Sequence, residues 1–466
     1  MGAIFRFTYF ASYLGFRFFE GLVRLLPLEL AFSLGRLGGA LSYHLLRKRR
    51  HLALGNLRLA FGTDMSEAQL RALNREHFQL LGANLLAGFR ASRMSDDEVW
   101  KRVEANIPAE RLPPGWVALI SHIGNWELFS HLSGRYPEYR YGAIFQGLSN
   151  PYIDRYLGET RAGSGNILFD RRTELLKCVR FLKEGGVVGV LIDQGAGYAG
   201  LWTPLFNRLT SSSTLAATLA IRTGHPVVPI AINTAGHARW KMTISEPVYP
   251  PEDGDTEVFT ARINRLLEEQ IRRHPADWLW AHNRWKPLRP HLLFARDQRR
   301  VFFPPEFDRT KLDPFRILIV SPDEPEHAAA THAAVAAIKN GRPDVWLGVL
   351  VPQAVAQLWE NMPEVDASIV WPSDASPFEM AAQIKDHARF DAAIFFEPRL
   401  RSALAVFLAG IPIRVGRRYG LLSMLYNQRP VPASENSDAT GAALKIAHSI
   451  GANLPARFHL APPPAA

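Results

Sequence analysis

The sequence contains a single cysteine, Cys178, among its 466 residues. One thiol cannot close an internal disulfide or build a thiolate metal cluster, so a disulfide-stapled fold and a cysteine-based metal site are both excluded. The position of Cys178 in a helix-like segment, between Lys177 and Val179, predicts a packed and unreactive side chain. The scarcity of cysteine fits a reducing compartment.

Long uncharged hydrophobic runs are also missing. Residues 1–46 are rich in Phe, Leu, Tyr and Ala, but charges interrupt them before the roughly 18 apolar residues needed to span a bilayer. The same interruptions remove any secretory cleavage signature. Large apolar residues recur at helical spacing with arginines between them, which is typical of helices lying in the membrane interface. A buried helical hairpin and a single tilted span are the alternatives. The recurring residues are Phe5, Tyr9, Tyr13, Phe18 and Leu22.

Charged residues make up only 21% of the chain, and 47% of the residues are hydrophobic, which excludes general disorder. The net charge of +10 implies anionic partners. Zinc-ligand spacing, a helix-turn-helix signature and RNA-binding aromatic motifs are all absent, so we expect no nucleic-acid partner. An anionic membrane surface and a phosphate-bearing substrate fit better, and the basic run 47–50 would meet anionic head groups.

Residues 117–127 carry the strongest catalytic signal. An apolar, strand-like stretch gives way to a helix-like pattern, which places His122 in a strand-to-helix turn. We expect Gly124 to permit the tight backbone and Asn125 to cap the helix. Glu127 would then lie in the first helical turn and hold one imidazole nitrogen, leaving the other as a general base on a hydroxyl. The alternative is a capping carboxylate beside an incidental histidine.

The string His-Ile-Gly-Asn-Trp-Glu at 122–127 resembles the first motif of the late lipid A biosynthesis acyltransferases (lauroyl/myristoyl transferases), within the lysophospholipid acyltransferase-like superfamily. The resemblance covers residues 1–290. Further matching stretches follow in family order: Arg49–Gly62, Asn150–Asp154, Gly189–Gln194 and Trp278–Lys286.

The resemblance implies transfer of a fatty acyl group from an acyl-carrier-protein thioester to a hydroxyl of a lipid A precursor or related glycolipid. No cofactor, metal or covalent enzyme intermediate is expected. Such an enzyme would work at the cytoplasmic face of the bacterial inner membrane, attached peripherally or through a single N-terminal anchor. On this basis His122 is the general base and Glu127 its orienting partner. The oxyanion would need donors, either a backbone N–H near the turn or a nearby arginine.

Seven further polar residues are predicted to contact substrate. One lies in the turn, two follow a predicted strand, two are arginines able to meet phosphates, and two end a buried-looking strand, where an α/β sheet exposes working residues. As solvated or capping residues they would need no function, and that alternative stays open. They are Asn125, Gln146, Asn150, Arg161, Arg171, Asp193 and Gln194.

Alternating strand-like and helix-like runs predict an α/β fold, and Ser66 to Gln69 reads as a capping box that opens a helix. We expect an α/β acyltransferase sandwich with a mixed sheet, preceded by interfacial helices and followed by a smaller, parallel Rossmann-like α/β domain. The expected divisions are a membrane-associating helical segment (1–48), the acyltransferase domain (49–290), a proline-rich linker (291–314) and the Rossmann-like domain (315–460).

Parts of the last domain resemble the N-terminal half of the lipopolysaccharide heptosyltransferases. The family's first strand-helix turn carries Gly-Asp, whereas this chain reads Ser-Pro-Asp at 321–323, and no Gly-x-Gly-x-x-Gly follows the strand. The second, donor-binding lobe has no counterpart, so we expect a degenerate lobe that positions the acceptor's sugar or docks a partner. The matching stretches are Arg342–Val345, Leu358–Asp366 and Arg401–Gly416.

Three other functions remain open. The first is an acyltransferase of the same superfamily with a glycerophospholipid or aminolipid acceptor. The second is a glycosyltransferase-related activity, which would need a partner chain. The third is a non-catalytic lipid-binding scaffold, which predicts that His122→Ala leaves the biological role intact.

Overall fold

The computed structural model describes residues 3–106, 112–145, 147–162, 165–171, 173–417, 420–430 and 438–454. The chain forms two compact units: residues 1–286 with 301–307, and residues 287–300 with the remainder from 308. Most of the stretch expected as a linker is thus divided between the units, with 291–300 in the second and 301–307 in the first.

Ten α-helices occur among the described residues of the first unit. They are α1 (Ala3–Arg24), α2 (Leu28–Leu45), α3 (Arg47–Phe61), α4 (Glu67–Ala91), α5 (Asp96–Trp100), α6 (Leu132–Arg135), α7 (Pro151–Ala162), α8 (Leu175–Lys183), α9 (Leu215–Thr223) and α10 (Thr256–Arg273).

The centre of this unit is a seven-stranded mixed sheet of order β1-β9-β8-β2-β5-β3-β4, with a separate β6–β7 hairpin. Neighbours in the large sheet are parallel except β8 and β9, and hydrophobic residues cover both faces. The strands are β1 (Val103–Asn106), β2 (Trp116–Ile120), β3 (Tyr141–Phe145), β4 (Ile167–Asp170), β5 (Val187–Leu191), β6 (Leu201–Leu205), β7 (Arg208–Ser212), β8 (Val227–Gly236) and β9 (Arg239–Ile244).

Helix α2 packs closely against α4 because glycines face the contact. A Cβ at Gly39 would collide with the backbone carbonyl of Phe78, and one at Gly35 with that of Gly82. Helix α4 itself begins with the capping box predicted at Ser66. These contacts join α2 to α4, and Ala83 and Ala87 of α4 lie in the same hydrophobic cluster as Ile230 of β8 in the sheet that carries the site.

Helix α1 turns its charged side toward the protein. Glu20 is 2% exposed and accepts hydrogen bonds from Arg24 (2.8 Å) and from the hydroxyl of Tyr156 in α7 (2.9 Å). The opposite side presents Phe7 and Phe18 to solvent, 74% and 71% exposed. No helix in the described part of the chain has the length and apolar character that a membrane crossing requires.

The second unit is a five-stranded, fully parallel sheet of order β12-β11-β10-β13-β14, flanked by helices. This doubly wound arrangement confirms the predicted Rossmann-like fold. Its strands are β10 (Phe315–Val320), β11 (Val345–Pro352), β12 (Ala367–Trp371), β13 (Ala392–Phe395) and β14 (Ile413–Val415). Its helices are α11 (Pro325–Ala330), α12 (His332–Lys339), α13 (Gln357–Glu360), α14 (Pro377–His387), α15 (Leu400–Leu408) and α16 (Ala439–Ser449).

Candidate active site

His122 lies just beyond the end of β2, in a turn that leads into a 3-10 helix (Trp126–His131). Gly124 makes the turn with φ +58°, and a Cβ at that position would collide with the carbonyl oxygen of Ile232 in β8. Glycine is therefore required twice, by the backbone conformation and by the close approach of β8. The predicted strand-to-helix turn is observed, although the helix begins as 3-10.

Asp193 follows β5, which runs parallel to β2 with Ile120 opposite Leu191. The two strands end side by side, which brings the residues just beyond them together. One oxygen of Asp193 lies 2.8 Å from Nδ1 of His122, and the other accepts the backbone N–H of His122, also at 2.8 Å. The indole N–H of Trp278 donates to the second oxygen at 2.9 Å. The side chains of His122 and Asp193 are 13% and 3% exposed.

The carboxyl of Asp193 favours its ionised form. Burial would raise its pKa, but the charge of His122, two hydrogen bonds from that residue and the hydrogen bond from Trp278 outweigh burial and lower the pKa. An ionised carboxylate can only accept, so the Nδ1 of His122 carries a proton and donates it. The second ring nitrogen, Nε2, is then the one able to take a proton from a substrate.

The contact of Glu127 with one imidazole nitrogen stays a prediction, and the carboxylate observed at Nδ1 of His122 is that of Asp193. The physical reason is that β2 and β5 are neighbours, so residues distant in sequence meet at their ends. Glu127 is the second residue of the 3-10 helix, and its Cβ and Cγ lie beside Gly88 of α4. A catalytic role for Glu127 stays a prediction.

The segment of residues 277–279, which follows α10, contacts the turn of His122 through backbone hydrogen bonds. Trp278 forms a β-bridge with Ile123, and the backbone N–H of Leu279 donates to the carbonyl of His122 at 3.1 Å. The backbone N–H of Gly124 donates to the carbonyl of Asp277 at 3.0 Å. The turn is therefore held by contacts on both sides.

Every backbone N–H of the turn from His122 to Asn125 is used within the fold. The acceptors are an oxygen of Asp193 and the carbonyls of Ser121, Asp277 and Ile232. The backbone option for oxyanion stabilisation at these four positions is thus unsupported in this structure. Donors have to come from elsewhere, and side chains around the turn are the nearest source.

Two polar side chains of the turn are buried without a hydrogen-bond partner in the described part of the protein: the hydroxyl of Ser121 and the amide nitrogen of Asn125. Both residues are 2% exposed. Asn125 occupies the predicted N-cap position of the 3-10 helix, but its side chain makes no cap hydrogen bond. Buried donors left unpaired cost free energy, which is typical of groups that meet a ligand.

Arg284 supplies positive charge near Asp193, and His282 lies within electrostatic range of the same carboxylate. Arg284 is 1% exposed and donates to Thr210 (2.8 Å), the carbonyl of Ser211 (2.6 Å) and Ser212 (2.8 Å). Burial lowers the pKa of Arg284 to about 10, while the charge of Asp193 raises it. Burial also lowers the pKa of His282, against the opposing effect of Asp193. Neither residue was predicted to belong to the site, and their place in the matching stretch Trp278–Lys286 was the available signal.

Of the remaining predicted substrate contacts, Asn150 has described hydrogen bonds, and they go to other parts of the protein than the turn of His122. Asn150 caps α7, accepting the N–H of Tyr152 at 3.0 Å, and its amide donates to the carbonyl of Tyr9 at 2.9 Å. Arg171 and Gln194 are exposed, Arg161 lies in α7 without a described side chain, and Gln146 lies outside the described residues. No group of three or more His, Cys, Asp or Glu side chains within the described ranges could hold a metal ion.

Residues 5–287 match the family model described as bacterial lipid A biosynthesis acyltransferase. The lipid A biosynthesis lauroyltransferase of Escherichia coli K12 is 25% identical over 275 residues, covering 57% of this chain and 88% of that protein. The lipid A biosynthesis acyltransferase of Haemophilus influenzae is 23% identical, covering 56% of this chain and 86% of that protein.

Solved structures similar to this chain include glycosyltransferases. A glycosyl transferase family 9 protein from Veillonella parvula has a TM-score of 0.29 at 16% identity, covering 30% of this chain and 42% of that chain. The ADP-heptose lipopolysaccharide heptosyltransferase II of E. coli has a TM-score of 0.26 at 22% identity, covering 28% of this chain and 40% of that chain.

Proposed function

The chain belongs to the bacterial lipid A biosynthesis acyltransferase family, and on that basis we propose that it transfers a fatty acyl group from an acyl-carrier-protein thioester to a hydroxyl of a phosphorylated lipid A precursor or related glycolipid. The observation that carries the chemistry is the pairing of His122 with Asp193 at 2.8 Å, which reserves the other ring nitrogen for proton transfer.

The reaction balances with His122 as the only proton carrier. Its Nε2 takes the proton of the acceptor hydroxyl as that oxygen forms a bond to the thioester carbonyl carbon, and the carbonyl electron pair moves onto oxygen. Collapse of this tetrahedral oxyanion breaks the carbon–sulfur bond. The proton on His122 then passes to the leaving thiolate, and Asp193 stabilises the imidazolium between these steps.

The oxyanion is stabilised by side chains in this proposal. The amide of Asn125 and the hydroxyl of Ser121 are donors without a partner among the described residues, and Arg284 adds a buried positive charge in the electrostatic range of Asp193. Donors fixed in a water-poor site gain strength as negative charge develops on the substrate. The predicted substrate contact of Asn125 fits this arrangement.

We place the protein at the cytoplasmic face of the inner membrane, held there by α1 and α2. Both helices expose apolar stripes while α1 buries its glutamate, which is the reverse of an ordinary surface helix. The basic run at the start of α3 adds attraction to anionic head groups. Arg161 and Arg171 remain proposed contacts for acceptor phosphates. The stripe residues, all at least 50% exposed, are Phe7, Leu14, Phe18, Leu22, Leu37, Leu41 and Leu45.

The activity is tested with detergent-solubilised protein, acyl-carrier-protein thioesters of several chain lengths, and a panel of glycolipid, glycerophospholipid and aminolipid acceptors. We expect a glycolipid product with wild type and none with His122→Ala. His131→Ala is a matched control, because His131 also pairs with an aspartate, Asp96 at 2.6 Å, but outside the site. Undiminished activity in His122→Ala would remove the general-base assignment, and a product with another acceptor class would redirect the proposal.

Membrane attachment is tested by sedimentation with vesicles containing anionic phospholipid. We expect wild type to bind and a Phe7→Ser, Phe18→Ser variant to bind much less. Leu176→Ser is the matched control, because Leu176 is 78% exposed on α8 and lies outside the stripe. Equal binding by all three proteins would contradict the assignment of this surface to the membrane.

A further inference from the structure

The Asp193 carboxylate accepts three hydrogen bonds in the described structure, and only two come from His122. The third comes from the indole N–H of Trp278, which lies 85 positions further along the chain. Trp278 is 1% exposed, so water does not compete for this contact. A buried tryptophan needs no catalytic explanation, but its polar end is directed at the group that orients the base.

We propose that Trp278 is a positioning residue of the acyl-transfer site, whose indole N–H holds one oxygen of Asp193 so that the other stays on the ring of His122. This inference rests on the proposed acyl transfer, since it concerns the same reaction. Without the indole, Oδ2 of Asp193 would keep one hydrogen bond, from the backbone of His122, and the carboxylate would be freer to rotate away from the ring.

The chemistry of the donors supports this assignment. An indole N–H and a backbone N–H donate and never accept, so a proton on Oδ2 would displace at least one of its two hydrogen bonds. A proton on the other oxygen would face the Nδ1–H of His122. Trp278 therefore helps to keep Asp193 ionised, which fixes the tautomer of His122 that leaves Nε2 unprotonated. A serine or threonine hydroxyl in place of the indole could rotate and accept a hydrogen bond from a protonated Asp193, so it would not favour the ionised carboxylate in the same way.

The indole is itself held in place. Trp278 forms a β-bridge with Ile123 in the turn. Its ring lies edge-on to those of Trp280 and Trp285, with 4.5 Å and 6.2 Å between the ring centroids. The adjacent N–H of Leu279 donates to the carbonyl of His122. The donor is thus built into the same segment that holds the turn, and does not follow Asp193 if the carboxylate moves.

Within the described ranges, three charged or titratable groups interact electrostatically with Asp193: His122 from the turn after β2, and His282 and Arg284 from the segment after Trp278. Arg284 favours the ionised carboxylate through its charge, but its hydrogen bonds go to residues of β7. Charge alone does not fix the rotation of a carboxylate, whereas a hydrogen bond does. Trp278 and Arg284 therefore have separable effects.

The test compares Trp278→Phe with Trp280→Phe. Trp280 is 0% exposed in the same segment, and its indole donates at 2.6 Å to the carbonyl of Pro275 instead of to the site. Both changes remove a buried N–H and part of an aromatic ring. We expect kcat to fall roughly 10- to 100-fold in Trp278→Phe, the value of a hydrogen bond to a charged group. We also expect the acid limb of its kcat/KM profile to move to higher pH, because the Asp193 carboxyl accepts a proton more readily.

In an Asp193→Asn background, adding Trp278→Phe should cause no further fall in kcat, because both changes act through the same contact and coupled residues are not additive. Independent multiplication of the two effects, or equal kcat and pH profiles for the Trp278 and Trp280 variants, would overturn the inference. Wild-type activity and its loss in His122→Ala are measured first, so a failure of the proposed function is recognised separately.

If Trp278→Phe does not fold, the folded Asp193→Asn protein decides the question. With ¹⁵N-labelled tryptophan, we expect one indole N–H resonance to shift strongly when Asp193 becomes asparagine, as its acceptor loses charge. The Trp280 indole, bonded to a backbone carbonyl, provides the unshifted reference. Absence of any responding indole would overturn the contact itself.

Discussion

The sharpest consequence of the site is the expected effect of Asp193→Asn, which changes one oxygen to an NH₂ group at nearly constant shape. The native carboxylate accepts from Nδ1 of His122 on one oxygen and from two N–H donors, of His122 and Trp278, on the other. Asparagine has one accepting oxygen. If that oxygen faces the two donors, its NH₂ faces Nδ1, and His122 must carry its proton on Nε2. That tautomer cannot act as the base.

The magnitude follows from the count of hydrogen bonds. Turning the amide to restore the productive tautomer would sacrifice two hydrogen bonds at about 1 kcal/mol each, a bias of roughly 30-fold against it. Replacing a charged acceptor by a neutral one weakens the support of the imidazolium by about a further 1–2 kcal/mol. Together these effects predict a fall in kcat of roughly 10²- to 10³-fold, at 1.4 kcal/mol per factor of ten.

The assay is steady-state acyl transfer at saturating thioester and acceptor, which gives kcat, alongside imidazole ¹⁵N spectra that report the tautomer of His122. Asp96→Asn is the matched control, since Asp96 pairs with His131 at 2.6 Å and its side chain is 43% exposed. We expect that control to keep kcat within about threefold of wild type, because exposed pairs contribute little. A kcat within tenfold of wild type in Asp193→Asn, or an unchanged tautomer, would refute the reasoning.

Two further predictions concern stability. Gly39→Ala should lower the free energy of unfolding, measured in urea, by about 1–3 kcal/mol, because the added methyl group would meet the carbonyl of Phe78. The control Gly38→Ala should be neutral or slightly stabilising, because the space at that position is open. Burial lowers the pKa of His77 from 6.5 to about 4, so the unfolded chain binds a proton before the native state does. The free energy of unfolding is therefore expected to fall by about 3 kcal/mol as the pH falls from 6.5 toward 4. The His77→Leu variant, with its free energy of unfolding measured over the same pH range, should not show this fall.

Much of the fold could be predicted because its signals are local. The run of apolar residues before His122 predicts a strand, and the capping residues at Ser66 and Gln69 predict the start of a helix. Both elements are observed. The parallel second domain was also predictable from its regular alternation of strands and helices. The missing side-chain hydrogen bond at the N-cap, Asn125, could not be predicted. This side chain is buried among tertiary neighbours that the local sequence does not reveal.

The candidate site divides in the same way. A histidine at the end of one strand and an aspartate at the end of another could both be predicted as exposed working residues. The spacing of His122 and Glu127 favoured a local pair, since partners close in sequence are the ones that a sequence reveals. The structure shows a partner that the spacing did not reveal, because Asp193, 71 positions away, lies at the Nδ1 of His122.

The helices and strands, the family and the position of the His122 imidazole in a turn all follow from the sequence alone, because periodicity and motifs are properties of short stretches. Only the tertiary structure decided that β2 and β5 lie side by side and that Trp278 reaches the same carboxylate. Strand order and the return of a distant segment depend on how the whole hydrophobic core packs. Hydrogen bonds between such segments exist only once that packing has brought their ends together.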